Sequence, residues 1–434
     1  MDLLLKNLTV LTMDDEHPLF RDAYIAVENG KLAHIGSERP KGQAVREIDC
    51  RDKLAMPGLI NAHAHLPMTL FRGYADGVGL HTWLNDYIFP AEDRLDSRAV
   101  RAGTDIALAE CLMTGTTSVS DMYFFSDDIA RAISDSGMKG NIARSLSWFG
   151  GEVDMDSDVK IREMKSLVRD WNGFDGGRIV TDVSIHGEYT SNHHLWTALA
   201  DFAGENGLGM QVHLSETKRE HEECLERHGR TPAKLFEDYG VWNTRACAAH
   251  CVWVTREDME ILSRRGVTAV YNPVSNMKLA SGVCPVPELL EKGVNLALGT
   301  DGVSSNNSHD MFEEIKTGVL LQRVCRLDPG AVGKDTLLRA ATAGGARAQG
   351  RENECGVLKA GMDADMILID MAAPNMIPCT DPAANAAFSA CGMNVTMTMV
   401  RGRILYENGE FLTIDVEKAR WEAEHYALKR IFNK

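Results

Sequence analysis

Seven polar residues stand at or just beyond the ends of apolar runs: His63, His65, His186, His213, Glu216, His250 and Asp301. Such groups are costly in a buried, mostly apolar strand unless they are paired or put to use. His63-Ala-His65 is the first of them. Residues i and i+2 of a strand point to the same side, so both imidazoles can chelate one ion. A bare His-x-His is more simply read as two satisfied core histidines. His213 and Asp301, at two other run ends, change that balance. Three imidazoles and one carboxylate suit a single divalent ion, Zn²⁺, Fe²⁺ or Mn²⁺, with room left for water. A bound divalent ion lowers the pKa of water towards ~7 and so favours hydrolysis at neutral pH. Proton carriers are then needed. Asp301 can move the water's proton while touching the ion, and Glu216 can protonate a ring nitrogen that receives electrons. His250 can hydrogen-bond the attacking hydroxide or a developing oxyanion. Plainer readings are a helix-start carboxylate for Glu216, a supporting histidine for His250 and a core histidine for His186.

These groups need a scaffold that brings distant positions together. Eight apolar runs of four to seven residues alternate with helix-period segments: Gly58–Ala62, Thr116–Ser120, Asn141–Leu146, Ile179–Ile185, Met210–Leu214, Ala246–Ala249, Thr268–Tyr271 and Asn295–Leu298. Asp96 can cap a helix over Ser97–Met113, with Gly115 as its stop. Eight strands alternating with helices predict an α/β fold, a TIM-type (β/α)8 barrel, whose catalytic groups stand at the C-terminal ends of the strands. An open doubly wound sheet is the alternative. It is weakened because no Gly-x-Gly-x-x-Gly follows the first run. Before and after this region the texture is different. Leu3–Leu11, Ala23–Val27, Lys31–Ile35 and Glu47–Asp49 read as strands, with Asn29-Gly30 as a hairpin turn. Asp365–Asp370, Val395–Val400 and Arg403–Tyr406 repeat the pattern, and Asp415 can cap a final helix over Val416–Phe432. A small β-sandwich built from both termini follows: residues 1–56 and 356–434, flanking a barrel at 57–355.

Bulk properties narrow the partners. The apolar share of 44% is ample for a large core. Acidic residues outnumber basic ones by 62 to 46, and no basic block interrupts them, so nucleic acid and anionic membrane are poor partners. The ten cysteines are scattered without a C-x-x-C pair and read as reduced thiols. With neither a basic leader plus apolar stretch nor a run of 18 apolar residues, the expected compartment is the cytoplasm.

Several stretches together carry a resemblance: PGLINAHAHLPMTLFRG (Pro57–Gly73), HTWLNDYIFPAEDRL (His81–Leu95), WNGFDG (Trp171–Gly176), VHLSET (Val212–Thr217), AAHCV (Ala248–Val252), NPVSNMKL (Asn272–Leu279) and LGTDGVSSNNS (Leu298–Ser308). They resemble the amidohydrolase superfamily over nearly the whole chain. More narrowly they are similar to its methylthioadenosine/S-adenosylhomocysteine deaminases, with triazine hydrolases and guanine and cytosine deaminases as relatives. The resemblance implies a β/α barrel with one divalent ion, usually zinc and sometimes iron, on His63, His65, His213 and Asp301. Glu216 would shuttle protons and His250 would orient the hydroxide. Glu92 would bind the ribose hydroxyls, with Trp83 in the same segment as a further substrate contact. His186 would face the purine, and Arg144 would reach the substrate's tail. Relatives commonly associate, so a homo-oligomer is compatible with the resemblance.

Two departures bear on the substrate. Where relatives can carry Gly-Gly-Arg, this chain has Gly150-Gly151-Glu152, and a carboxylate there would repel a homocysteine tail. Glu188 stands where many relatives have proline, and it is expected to add a carboxylate beside the purine. The function implied is hydrolytic deamination of an amino-purine nucleoside of the methylthioadenosine, adenosine or S-adenosylhomocysteine type. The alternative is another amino-heterocycle: guanine, cytosine, a pterin or a triazine. Binuclear cyclic-amide hydrolases of the superfamily use a carbamylated lysine at the end of the fourth strand. Run four holds no lysine, which argues for one ion. A nucleobase-editing zinc deaminase is excluded because no Pro-Cys-x-x-Cys accompanies His186-Gly-Glu188. A non-catalytic binding protein on the same barrel is the reading from another class, disfavoured because every acid-base and ligand residue is present.

Overall fold

The computed structural model describes residues 1–432, so the last two positions of the expected C-terminal segment lie outside it. Five strands come first: β1 (Leu3–Leu11), β2 (Leu19–Glu28), β3 (Lys31–Gly36), β4 (Arg46–Asp49) and β5 (Lys53–Pro57). Eight follow: β6 (Leu59–Ala64), β7 (Thr116–Tyr123), β8 (Lys139–Leu146), β9 (Ile179–Ile185), β10 (Met210–Leu214), β11 (Ala246–His250), β12 (Thr268–Tyr271) and β13 (Asn295–Leu298). The last four are β14 (Met366–Asp370), β15 (Val395–Val400), β16 (Arg403–Glu407) and β17 (Glu410–Phe411).

Strands β6 to β13 form one parallel sheet in chain order, with helices between successive strands, so the eight apolar runs are the eight barrel strands. An open doubly wound sheet is ruled out at the seam. There the Asp301 N–H donates to the His63 carbonyl at 2.9 Å, and Ala64 bridges Asp301 in parallel register. Asn61 ties the same edges together: its Nδ2 donates to Thr300 Oγ1 at 2.7 Å and its Oδ1 accepts the Thr300 N–H at 3.1 Å. Gly299 permits this closeness, because a Cβ there would meet the His63 backbone at 2.8 Å. Two candidate ligands thus lie on the closing seam of the barrel.

Helix Ser97–Met113 forms as its caps dictate. Asp96 accepts the Ala99 N–H at 3.0 Å, and Gly115 turns the chain at φ +90°. Asp415 caps the last helical stretch through Lys418, but that stretch is interrupted by a wider π-type turn at Ala423–Ala427. Among the described residues, no helix is long and apolar enough to cross a membrane.

The two ends of the chain share a nine-stranded mixed sheet in the order β17-β16-β15-β14-β5-β1-β2-β3, with β4 also on β1. Strand β5 was not expected. It is the piece that joins the N-terminal strands to β14. The period of two divides its faces. Ala55, Met366 and Leu368 pack into the sheet's own core, while Leu54, Met56, Ile367 and Ile369 join the core around the barrel. Buried charge reinforces this junction. Lys139, fully buried at the start of β8, lies 2.8 Å from Asp363 and 2.7 Å from Asp365.

Candidate active site

The barrel's C-terminal end collects the expected groups. His63 is the fifth residue of β6 and His65 follows the strand. His213 lies near the end of β10, His250 ends β11, and Asp301 follows β13 by three residues. The rings of His63 and His65 meet edge to face with centroids 4.9 Å apart, and His213 is 4.9 Å from His63. One nitrogen from each of His63, His65 and His213 lies within 4.8 Å of the others, and so do one nitrogen each of His63 and His250 and one carboxylate oxygen of Asp301. Asp301 Oδ1 is 3.5 Å from His63 Nε2 and 3.2 Å from His65 Nε2.

This donor set fits a divalent ion. His65 Nδ1 donates to the Met122 carbonyl at 2.6 Å, and His213 Nδ1 to the His186 carbonyl, which leaves both Nε2 atoms free to ligate. His63 Nε2 is buried and lacks a hydrogen-bond partner, although it faces the cluster. Burial and the neighbouring rings keep His213 well below the ordinary imidazole value, and burial lowers His63 as well. Burial pushes Asp301 the other way, but its close approach to the His63 and His65 rings outweighs that and holds it towards the ionised form. For His65 too, Asp301 outweighs burial and draws positive charge to the ring. An ionised carboxylate amid mostly neutral imidazoles is the ligand-ready state. The outer oxygen of Asp301, Oδ2, accepts from Ser275 Oγ at 2.7 Å and Ser305 Oγ at 2.8 Å. The backbone is also unusual here. Ser215, His250, Cys251 and Asp301 all have positive φ, from 46° to 73°. Non-glycine residues held in this region cluster at functional sites.

The proton-carrying groups stand beside the cluster. Glu216 is 5% exposed, and its carboxyl lies 3.4 Å from Ser281 Oγ and 3.8 Å from His250 Nε2. Burial, then the charges of Asp301 and Glu220, push it well above the carboxylate range, towards the protonated form. Asn276 Nδ2 donates to His250 Nδ1 at 3.0 Å, which leaves the ring proton on Nε2, the atom facing the site.

A cavity of about 660 Å³ opens above these groups. His65, His213, Glu216, His250 and Asp301 line its floor, while Trp83, Glu92, Arg144 and His186 line its walls. Tyr123, at the end of β7, donates to Glu92 Oε1 at 2.5 Å. Burial pushes Glu92 up to about 7 despite that bond. His186 is bonded to Thr190 Oγ1 at 2.9 Å, and burial lowers it to about 4, so its ring is neutral. Arg144 pairs with Glu163 at 2.9 Å and donates to the Ser145 carbonyl near the outer rim.

Glu188 stands elsewhere. It is buried, but it accepts from Arg227 at 2.6 Å and His228 at 3.1 Å, and it is not part of the cavity wall. The expected carboxylate beside the purine is therefore corrected. Gly187 is extended and the chain turns at Glu188–Thr190, so the Glu188 side chain leaves on the far side from His186. Glu152 is exposed and is likewise absent from the wall. The hydroxyl and amide supports Ser275, Ser281, Ser305, Asn276 and Tyr123 were not anticipated. Three of them sit inside the motif-bearing stretches Asn272–Leu279 and Leu298–Ser308.

Residues 54–405 match the amidohydrolase family. Over 422 residues the chain is 42% identical to a 5′-deoxyadenosine deaminase of Methanosarcina acetivorans, covering 97% of this chain and 96% of that protein. It is 41% identical to a 5-methylthioadenosine/S-adenosylhomocysteine deaminase of Caldanaerobacter subterraneus, with 98% of each covered. Among solved structures, an adenosine deaminase from Xanthomonas campestris with bound zinc superposes with a TM-score of 0.94 at 31% identity, over 100% of this chain and 99% of that one.

Proposed function

The chain belongs to the amidohydrolase family, and on that premise we propose that it is a one-metal hydrolytic deaminase of an amino-purine nucleoside. The observation that carries this reading is a shared cavity. The His/Asp cluster and the Glu216 and Glu92 carboxyl groups all face one space large enough for a nucleoside. His63, His65, His213 and Asp301 would hold the ion, zinc being the species bound in the similar adenosine deaminase. When bound, the ion supplies Lewis acidity and makes hydroxide available at neutral pH.

The chain's own residues do the rest. Glu216 donates its proton to the ring nitrogen beside the amino-bearing carbon, and so lets that carbon become tetrahedral. Asp301, braced by two serines, accepts a proton on its carboxylate and passes it to the departing amine. His250 donates from Nε2 towards the oxygen added to that carbon. A C–O bond forms, the C–N bond breaks, and amino-purine plus water becomes oxo-purine plus ammonia. Neutral His186 hydrogen-bonds the base, Glu92 accepts from the ribose hydroxyls, and Trp83 supplies an apolar wall. Arg144 stands nearest the 5′ substituent. The relatives' substrates define the test. Metal-loaded protein should release ammonia from at least one of methylthioadenosine, 5′-deoxyadenosine, adenosine and S-adenosylhomocysteine, with the accompanying ultraviolet shift. Release from only guanine, cytosine or amino-triazines, or from none of the compounds, would reject the nucleoside reading.

A further inference from the structure

Glu220 is a buried carboxylate, 1% exposed, that touches none of the four candidate ligands. It lies in the first turn of helix Lys218–His228, whose capping residue Thr217 accepts the Glu220 N–H at 3.1 Å. In a capping box the third-position carboxylate accepts the N–H of the cap residue itself. Glu220 reaches further back. Its Oε1 accepts the Ser215 N–H at 2.9 Å, and its Oε2 accepts the Glu216 N–H at 2.8 Å. One carboxylate therefore grips two successive backbone donors.

Those donors belong to the turn that carries the catalytic acid. Ser215 sits in the left-handed region at φ 46°, a conformation that persists only where the surroundings over-determine it. The surroundings do so from three sides. Glu220 holds the two N–H groups, the Trp253 N–H donates to the Ser215 carbonyl at 2.9 Å, and Ser215 Oγ meets His221 Nδ1 at 3.2 Å. Only the Glu220 bonds are paired from one side chain, which makes them the stiffest of the set. The turn they hold sends the Glu216 side chain to Ser281 and His250.

We propose that Glu220 is a positioning residue for proton transfer: its two oxygens clamp the Ser215–Glu216 backbone and thereby fix where the Glu216 carboxyl meets the substrate's ring nitrogen. The proposal rests on the reading of Glu216 as the proton carrier. Misplacing a reacting group by 1 Å costs up to about a hundredfold in rate. Glu220→Gln keeps the side chain's shape but offers one acceptor and turns an amide N–H₂ against the second donor. It should lower kcat by about a hundredfold, with KM, bound metal and melting temperature close to wild type. The double variant Glu216→Gln/Glu220→Gln should turn over no more slowly than Glu216→Gln alone, because a clamp has nothing to position once the acid is gone. Glu220→Ala should be impaired at least as much as Glu220→Gln, which carries the test if the alanine variant does not fold. Wild-type kcat in Glu220→Gln, loss of its metal or fold, or losses that multiply in the double variant would each overturn the proposal. If Glu216→Gln itself keeps the wild-type rate, the reading of Glu216 falls first. If Glu216→Gln is impaired and Glu220→Gln is not, only the clamp falls.

Discussion

The two ends of the barrel bury charge in opposite ways. At the N-terminal end, Lys139 meets Asp363 and Asp365, Arg401 adds a second cation to Asp363, and Arg351 donates to the carbonyls of Gly140, Gly177 and Arg178. Each buried charge there faces its opposite or a set of backbone acceptors. At the C-terminal end, burial drives His63, His186, His213 and His250 towards the neutral form and Glu216 towards the protonated form, and His63 Nε2 has no partner. Both clusters are costly to bury. One is compensated within the chain and serves the junction of barrel and terminal sheet. The other is complete only when a cation and a substrate arrive. The same residue types thus mark architecture at one end and chemistry at the other.

That contrast can be broken by mutation. His65→Ala should lose bound metal and essentially all activity while the chain stays folded; retained stoichiometric metal by elemental analysis would undo the ligand assignment. Glu216→Gln should keep the metal and lose on the order of 10²–10⁴ in kcat, read from ammonia release. Lys139→Met leaves two buried carboxylates short of a cation and should cost about 3 kcal/mol of stability, measured by denaturant unfolding, with unchanged turnover in the folded protein. The same cluster sets an acid limit. Burial raises Asp363, but Lys139, Lys31 and Arg401 outweigh it and bring it down to about 2. A depressed carboxylate stabilises the fold above its unfolded value near ~3.9 and loses that contribution as pH falls towards 2. Asp363→Asn should therefore flatten the fall in melting temperature between those values. The smallest effect concerns Glu92. Because burial holds it up to about 7, acceptance from ribose hydroxyls weakens as pH falls through that value. KM should rise below pH 7, and Glu92→Gln should raise KM roughly tenfold and remove the pH dependence.

Much of this was legible in the sequence. The eight apolar runs are the barrel strands, and the residues ending runs one, five, six and eight converge because parallel strands share one C-terminal end. What escaped has physical causes. β5 is five residues long and abuts β6 across Gly58, so no connecting loop sets it apart. Ser275 behind Asp301 and Ser281 behind Glu216 are ordinary in composition and gain meaning only from contacts across 26 and 65 residues. Glu188 misled because nearness in sequence to His186 was taken for nearness in space, whereas the turn after β9 sends the two side chains apart. Glu220 is of a residue type common in first helical turns, and its two bonds to the backbone behind it depend on the left-handed turn at Ser215.

The most direct test of the account is a metal titration of chelator-treated protein with ammonia release from an amino-purine nucleoside as the readout. Activity should rise from near zero and saturate at one ion per chain, on the four ligands at the barrel's C-terminal end. Saturation at two ions, or full turnover without any, would contradict it.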